Sequence, residues 1–247
     1  MNTPPECTLI FDIETIKRSD EIPPGKEKDY FPPPIFWRPI TISMASFKTT
    51  YGPDGLKLKL QTIGTLAGKE EKEILTSFWK ILNDSPMRYV TFNGRGYDFP
   101  VLFHGALRHK IDMSRYWDKR DKWDNYQSRF SENWHCDLLD QFSQFGASPK
   151  TSMQAIANAL QIPSKIGGDG GKVGAMFNAG NIDKIKYYCE IDVLTTALIY
   201  VRWCLCTGKM SETAELEAIS TIESYLNDHR EDNPLFHEFI NEWKKHG

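Results

Sequence analysis

The chain has 247 residues, 40% hydrophobic and 26% charged, the proportions of a soluble globular protein with a sizeable core. Five cysteines, odd in number and irregularly spaced, exclude a disulfide framework, and Cys204 and Cys206 have no second Cys/His pair nearby to complete a zinc site. A formal net charge of -3 neither favours nor excludes a nucleic-acid partner, because local potential decides that.

The N-terminus, MNTPPECTLIFDIE, has no basic start and no apolar stretch as long as a signal's hydrophobic region, and acidic residues come early, so no secretory signal is expected. Thr8 to Phe11 is a short apolar run ending in acidic residues and reads as a buried central strand. Residues 21–39 are rich in proline and charge and read as a loop. Ile40 to Phe47 and Leu56 to Ile63 alternate as strands, joined by a turn over Tyr51 to Gly55. Glu70 to Leu82 carries a helical stripe of Ile74, Leu75, Phe78, Ile81 and Leu82. Arg88 to Phe92 is a fourth strand, and a helix is expected from about Phe99 to Arg108.

Ser114 to Trp134 is polar, aromatic and poorly periodic, and reads as a long insertion or loop. Leu138 to Phe145 and Ser152 to Leu160 look helical, with a glycine-rich connection over Gln161 to Lys172. Ile182 to Cys206 is a long helix by pattern. Its most apolar part, Leu194 to Cys206, is interrupted by Arg202 and is too short to span a bilayer, so no membrane association and a cytoplasmic protein are expected. Two amphipathic helices follow, at Glu212 to Asn227 and Pro234 to Lys245. This order suits an α/β domain with a mixed sheet and a helical C-terminal half.

Three segments carry chemistry. In Asp12-Ile13-Glu14 the two carboxylates are two apart, so a strand presents them on one side. They repel one another and drive one to protonate unless cations neutralise them. Read alone, the pair also describes a solvated strand end. Asn93-Gly94-Arg95-Gly96-Tyr97-Asp98-Phe99 follows the fourth strand. Its glycines let backbone approach a ligand closely, and Asp98 stands at a strand-to-helix junction, where it serves equally well as a cap. Tyr188 and Asp192 are one turn apart on one face of the long helix. An Asp beside so apolar a face needs a partner such as a metal, or an outlet to solvent.

Taken together, these segments resemble the three exonuclease motifs of the DEDD superfamily: D-x-E at Asp12 and Glu14, N-x(3)-[FY]-D at Asn93 to Asp98, and Y-x(3)-D at Tyr188 to Asp192. The wording FNGRGYDFPVL, YCEIDV and His135-Cys136-Asp137-Leu138 is similar to stand-alone exonucleases related to the proofreading domain of family B DNA polymerases. The histidine variant of the superfamily needs His five residues before the last Asp; position 187 is Tyr, so the resemblance is to the tyrosine variant.

The resemblance implies an RNase H-like fold, with a mixed five-stranded sheet in the order 3-2-1-4-5 over residues 1–210 and a helical extension over 211–247. It implies a 3′→5′ exonuclease that releases nucleoside 5′-monophosphates from single-stranded nucleic acid, with DNA favoured over RNA. By similarity, Asp12 bridges two divalent cations, Glu14 and Asp192 complete one, Asp98 supports the other, and Tyr188 orients the attacking water. Oxygen-only ligation favours Mg²⁺ or Mn²⁺. Thr15, Asn93, Tyr97 and Phe99 are the candidate substrate contacts, with Phe99 or Tyr97 packing against a base.

The cations and aromatics between Arg115 and Arg129 have the composition of a single-strand surface, and equally of a solvated loop. Lys165 to Lys172 is not a Walker loop, since Val173 replaces the Ser/Thr and no strand precedes it. The rival readings are an RNA-trimming exonuclease and a non-catalytic binding module of the same fold. Any replication or repair role requires a partner.

Overall fold

The computed structural model describes residues 5–22, 31–68, 70–118, 121–164, 166 and 170–245. The strands are β1 (Cys7–Lys17), β2 (Trp37–Gly52), β3 (Gly55–Ala67), β4 (Arg88–Thr91) and β5 (His135–Asp137). They form one sheet in the order β3-β2-β1-β4-β5. The pairs β1–β2 and β2–β3 are antiparallel, while β1–β4 and β4–β5 are parallel. This is the mixed five-stranded order that the motifs implied.

Alternation along β1 divides the interior in two. Leu9, Phe11 and Ile13 face a core shared with α1 (Glu71–Asp84) and α2 (Asp98–His109). Ile10 faces the other core, dominated by α7 (Ile182–Cys206). Asp12 and Glu14 have the parity of Ile10 and so point towards α7. The α7 segment from Tyr188 to Val201 is buried on every side, with sheet on one flank and helices on the other. α8 (Glu212–Asp228) lies along β3, and α9 (Leu235–Trp243) packs on α7 and α8. Ile222, Leu226, Phe236 and Phe239 from this C-terminal part join Leu58, Leu60 and Leu198 in one core.

The hairpin strands run further than their alternation suggests, out to Gly52 and Gly55 at the tip. Gly55 has φ +83°, and a Cβ there would lie 2.4 Å from the Lys209 carbonyl oxygen, so only glycine fits. Four expectations are corrected. β5 is a strand that the pattern reading left out, because three residues are too few to show a period. The helix expected over Leu138 to Phe145 stops as α4 at Leu138–Phe142, since Phe145 takes a left-handed φ of 57°. Val173–Asn178 forms a short helix, α6, after the glycine-rich connection, and the short helix α3 (Ser114–Trp117) opens the segment read as a loop. α5 (Met153–Ala159) starts as read, with the Ser152 hydroxyl accepting from the Ala155 N–H.

Among the described residues, no helix is long and apolar enough to cross a membrane.

Candidate active site

β4 pairs with β1 only as far as Ile10↔Val90, so β1 continues past the end of its parallel neighbour with Asp12 and Glu14 on the overhang. That is the switch point of the sheet, with antiparallel β2 on one side of β1 and parallel β4 on the other, where a ligand can reach the strand end. A register shift between Glu14 and Thr15 re-aims the side chains there. Directly across, one turn of α7 presents Tyr188 and Asp192.

The result is a convergence. Asp12, Glu14 and Asp192 each offer an oxygen, and these oxygens lie within 4.8 Å of one another. Burial, together with the charges of Asp98, Asp192 and Glu14, raises the Asp12 pKa well above the usual carboxylate range. Glu14 is raised by burial and then by Asp192 and Asp98. A buried all-oxygen donor set whose carboxylates also repel one another is what hard divalent cations stabilise. The residues present therefore fit such ions.

Asp98 approaches differently. It is the first residue of α2, buried, and comes from the other side of the sheet. Burial and the Asp137 charge push its pKa up to about 7, while backbone hydrogen bonds, including one at Ile13, pull it down. It lies outside the cluster of three, yet close enough to raise Asp12 and Glu14.

The Tyr188 hydroxyl shares a hydrogen bond with Asp192, and burial, with the Asp192 and Glu14 charges, holds its pKa far above that of free tyrosine. It keeps its proton and acts as a donor. The Cys189 thiol lies 3.7 Å from Asp12 Oδ2 and 3.5 Å from the Asp12 carbonyl oxygen, so the turn of α7 that carries Tyr188 also backs Asp12.

Thr15 Oγ1 and Tyr97 Oη are 2.6 Å apart, tying the end of β1 to the loop before α2. The Tyr97 ring packs against Trp37 and Phe31. Asn93 adopts φ 66°, a conformation asparagine tolerates, and its side chain covers Gly96, where a Cβ would meet Oδ1 at 2.5 Å. Gly94 is forced similarly: a Cβ would stand 2.4 Å from Thr91 Oγ1.

Phe99, expected to pack against a base, does not do so. It is 1% exposed, and its ring sits among Phe11, Tyr89 and Phe103. Phe99 heads the apolar stripe of α2, and the stripe determines where it points.

Two residues that sequence reasoning did not single out hold the loop. Asp137 accepts hydrogen bonds from the N–H groups of Asn93, Arg95 and Leu139. The Arg95 guanidinium donates to the carbonyls of Tyr126, Ser128 and His135. His135 is kept neutral by burial and by Arg95, and its Nε2 is 2.9 Å from Thr91 Oγ1. An Asp in the cap position before Leu138 was the available signal for Asp137; its grip on a loop about forty residues earlier leaves no local trace.

Residues 28–243 match the family described as a predicted 3′-5′ exonuclease related to the exonuclease domain of PolB. The chain belongs to this family. The structure is also similar to that of the family B DNA polymerase from the hyperthermophilic archaeon Pyrobaculum calidifontis. That match has TM-score 0.52 and 16% identity, and covers 93% of this chain and 29% of the polymerase. A product-bound exonuclease I matches with TM-score 0.48 and 13% identity over 92% of this chain and 47% of that one. An E. coli exonuclease I in complex with an oligonucleotide matches with TM-score 0.43 and 11% identity over 92% and 43%. The chain thus spans less than a third of the polymerase and less than half of these exonuclease I chains. No curated protein matches it. The likeness to the polymerase places the sheet and its helices in an RNase H-like exonuclease fold.

Proposed function

We propose that the chain is a 3′→5′ exonuclease that hydrolyses the terminal phosphodiester of single-stranded DNA and releases nucleoside 5′-monophosphates, with two divalent cations, Mg²⁺ or Mn²⁺, held by Asp12, Glu14, Asp98 and Asp192. The convergence of Asp12, Glu14 and Asp192 within 4.8 Å carries the reading. Bound there, the cations would lower the pKa of the attacking water and neutralise the departing 3′-oxygen.

The chain's own groups do the rest. Asp12, flanked by the other carboxylates, is the central ligand. The Tyr188 hydroxyl, hydrogen-bonded to Asp192, would orient the nucleophile. Asp98 would serve the second cation from the opposite side of the sheet. Thr15 and Tyr97, joined by their hydroxyls, and Asn93 at the turn are the groups that would hold the terminal sugar and phosphate. Residues 211–247 are an extension of the catalytic domain, since their apolar side chains share its core.

The test is nucleotide release from matched 5′-labelled DNA and RNA single strands, with Mg²⁺ and with EDTA, using Asp12→Ala as control. Shortening of the DNA from its 3′ end in Mg²⁺ alone is expected. Release from RNA only would move the substrate, and binding without any release would make the chain a binding module.

A further inference from the structure

Among the described residues, three of the five exposed large aromatic side chains fall between positions 117 and 130: Trp117, Trp123 and Phe130, exposed by 48%, 77% and 76%. Rings so open to water in one stretch mark a surface that meets a partner. The same stretch supplies a cation, Lys122, whose Nζ lies 4.7 Å from the Trp123 ring centroid. Its acidic residues are engaged internally. Asp121 Oδ1 accepts the N–H groups of Trp123 and Asp124, and Asp124 Oδ1 accepts from Ser131 and Asn133. Lys119 and Arg120 lie outside the described residues.

The segment is fixed to the active site. Tyr126 is buried and stacks on Tyr89 at 4.7 Å between ring centroids and on Tyr116 at 5.7 Å. Arg95, three residues before Asp98, grips the carbonyls of Tyr126 and Ser128. A concavity of about 380 Å³ is lined by Asn93, Trp117 and Lys150, together with Asp137 and Asp140. It shares Gln127 and Arg129 with a second, of about 710 Å³, walled by Lys122, Trp123 and Phe130. The surface therefore runs from the loop beside the carboxylates out to the exposed rings.

We propose that this surface is the track that holds single-stranded nucleic acid upstream of its 3′ end, with bases stacked on Trp117, Trp123 and Phe130 and phosphates passing Lys150 and Lys122. It rests on the exonuclease reading of the carboxylate site, which fixes where the 3′ end lies. The occupant is a single strand because only unpaired bases can turn a face to a ring, and stacking of this kind tolerates any sequence. Arg129 contributes a wall more than a free charge, since its guanidinium is bound to both Asp140 oxygens.

The test measures binding of 5′-labelled oligothymidylates, a tetramer and a hexadecamer, by fluorescence anisotropy in EDTA. The wild type is compared with the double variant Trp123→Ala/Phe130→Ala, whose altered side chains lie outside the core. Each lost stack is worth about five-fold at the lower end of the range, so the variant should bind the hexadecamer about thirty-fold more weakly. Its loss of affinity for the tetramer should be much smaller than its loss for the hexadecamer. A hexadecamer affinity equal to that of the wild type overturns the track, as does an equal loss on a blunt duplex. A wild type that binds both lengths alike also overturns it. The binding arm needs no catalysis, so failure of the track and failure of the exonuclease reading give different results.

Discussion

Replacing Asp12 with Asn should abolish activity and at the same time stabilise the metal-free protein. The cluster holds three carboxylates with oxygens within 4.8 Å. At an effective dielectric constant of about 20, two charges at that distance repel by on the order of 3 kcal/mol. The neutral amide removes the repulsion with both neighbours and keeps the side-chain volume. Proton uptake by the wild type already relieves part of it, because burial and mutual charge raise Asp12 and Glu14, and burial with the Asp137 charge pushes Asp98 up to about 7. The net gain at pH 8 in EDTA is therefore about 1–3 kcal/mol, or roughly 2–12 °C in Tm for a chain of this size. The assay is thermal unfolding followed by circular dichroism, in EDTA and then in saturating Mn²⁺. The wild type should gain Tm with Mn²⁺, and Asp12→Asn should start higher and gain little. A variant that melts below the wild type in EDTA would refute the repulsion argument.

Tyr188→Phe should lower kcat by about a hundredfold with little change in KM, as measured by single-turnover release, because only the orienting hydroxyl is removed. Asp137→Ala should cost about 3 kcal/mol in denaturant unfolding, since one carboxylate satisfies three backbone N–H groups. It should also lower activity by loosening the loop that carries Asn93 and Asp98. The carboxylate pKa values are raised in the folded state, so the metal-free chain favours the protonated form. Its stability should fall as pH rises from about 4, where the unfolded groups titrate, through about 7, where Asp98 does. Protons compete with cations for the same oxygens, so the Mn²⁺-induced rise in Tm should be large at pH 8 and small at pH 5 when melts are run across that range.

The parts of the site that were legible in the sequence are those written in a local period. Asp12 and Glu14 are two apart on a strand, and Tyr188 and Asp192 four apart on a helix, so each pair's common direction follows from geometry alone. Their meeting needed the sheet order, which the three motifs supplied together and no segment supplied singly. β5 was missed by pattern because it has three residues. It is held by parallel pairing to β4 and by the Asp137 and Arg95 contacts, none of which is local. Phe99 was misjudged because a motif neighbour looked like a substrate contact, whereas the helical stripe beginning there turns it into the core. The stretch from Ser114 to Trp134 has no period because it is fixed by individual side chains: Tyr116 and Tyr126 stack inside while Trp117 and Trp123 stay out.

Cation stoichiometry is the most direct test. Isothermal titration of Mn²⁺ into the metal-free protein at pH 8, repeated with Asp12→Asn and with Asp192→Asn, counts the ions the carboxylates hold. Two ions per chain are expected for the wild type, with at least one lost in each variant. Binding in the variants indistinguishable from the wild type, or no binding by the wild type at saturating ion, would contradict a cation site built from these side chains.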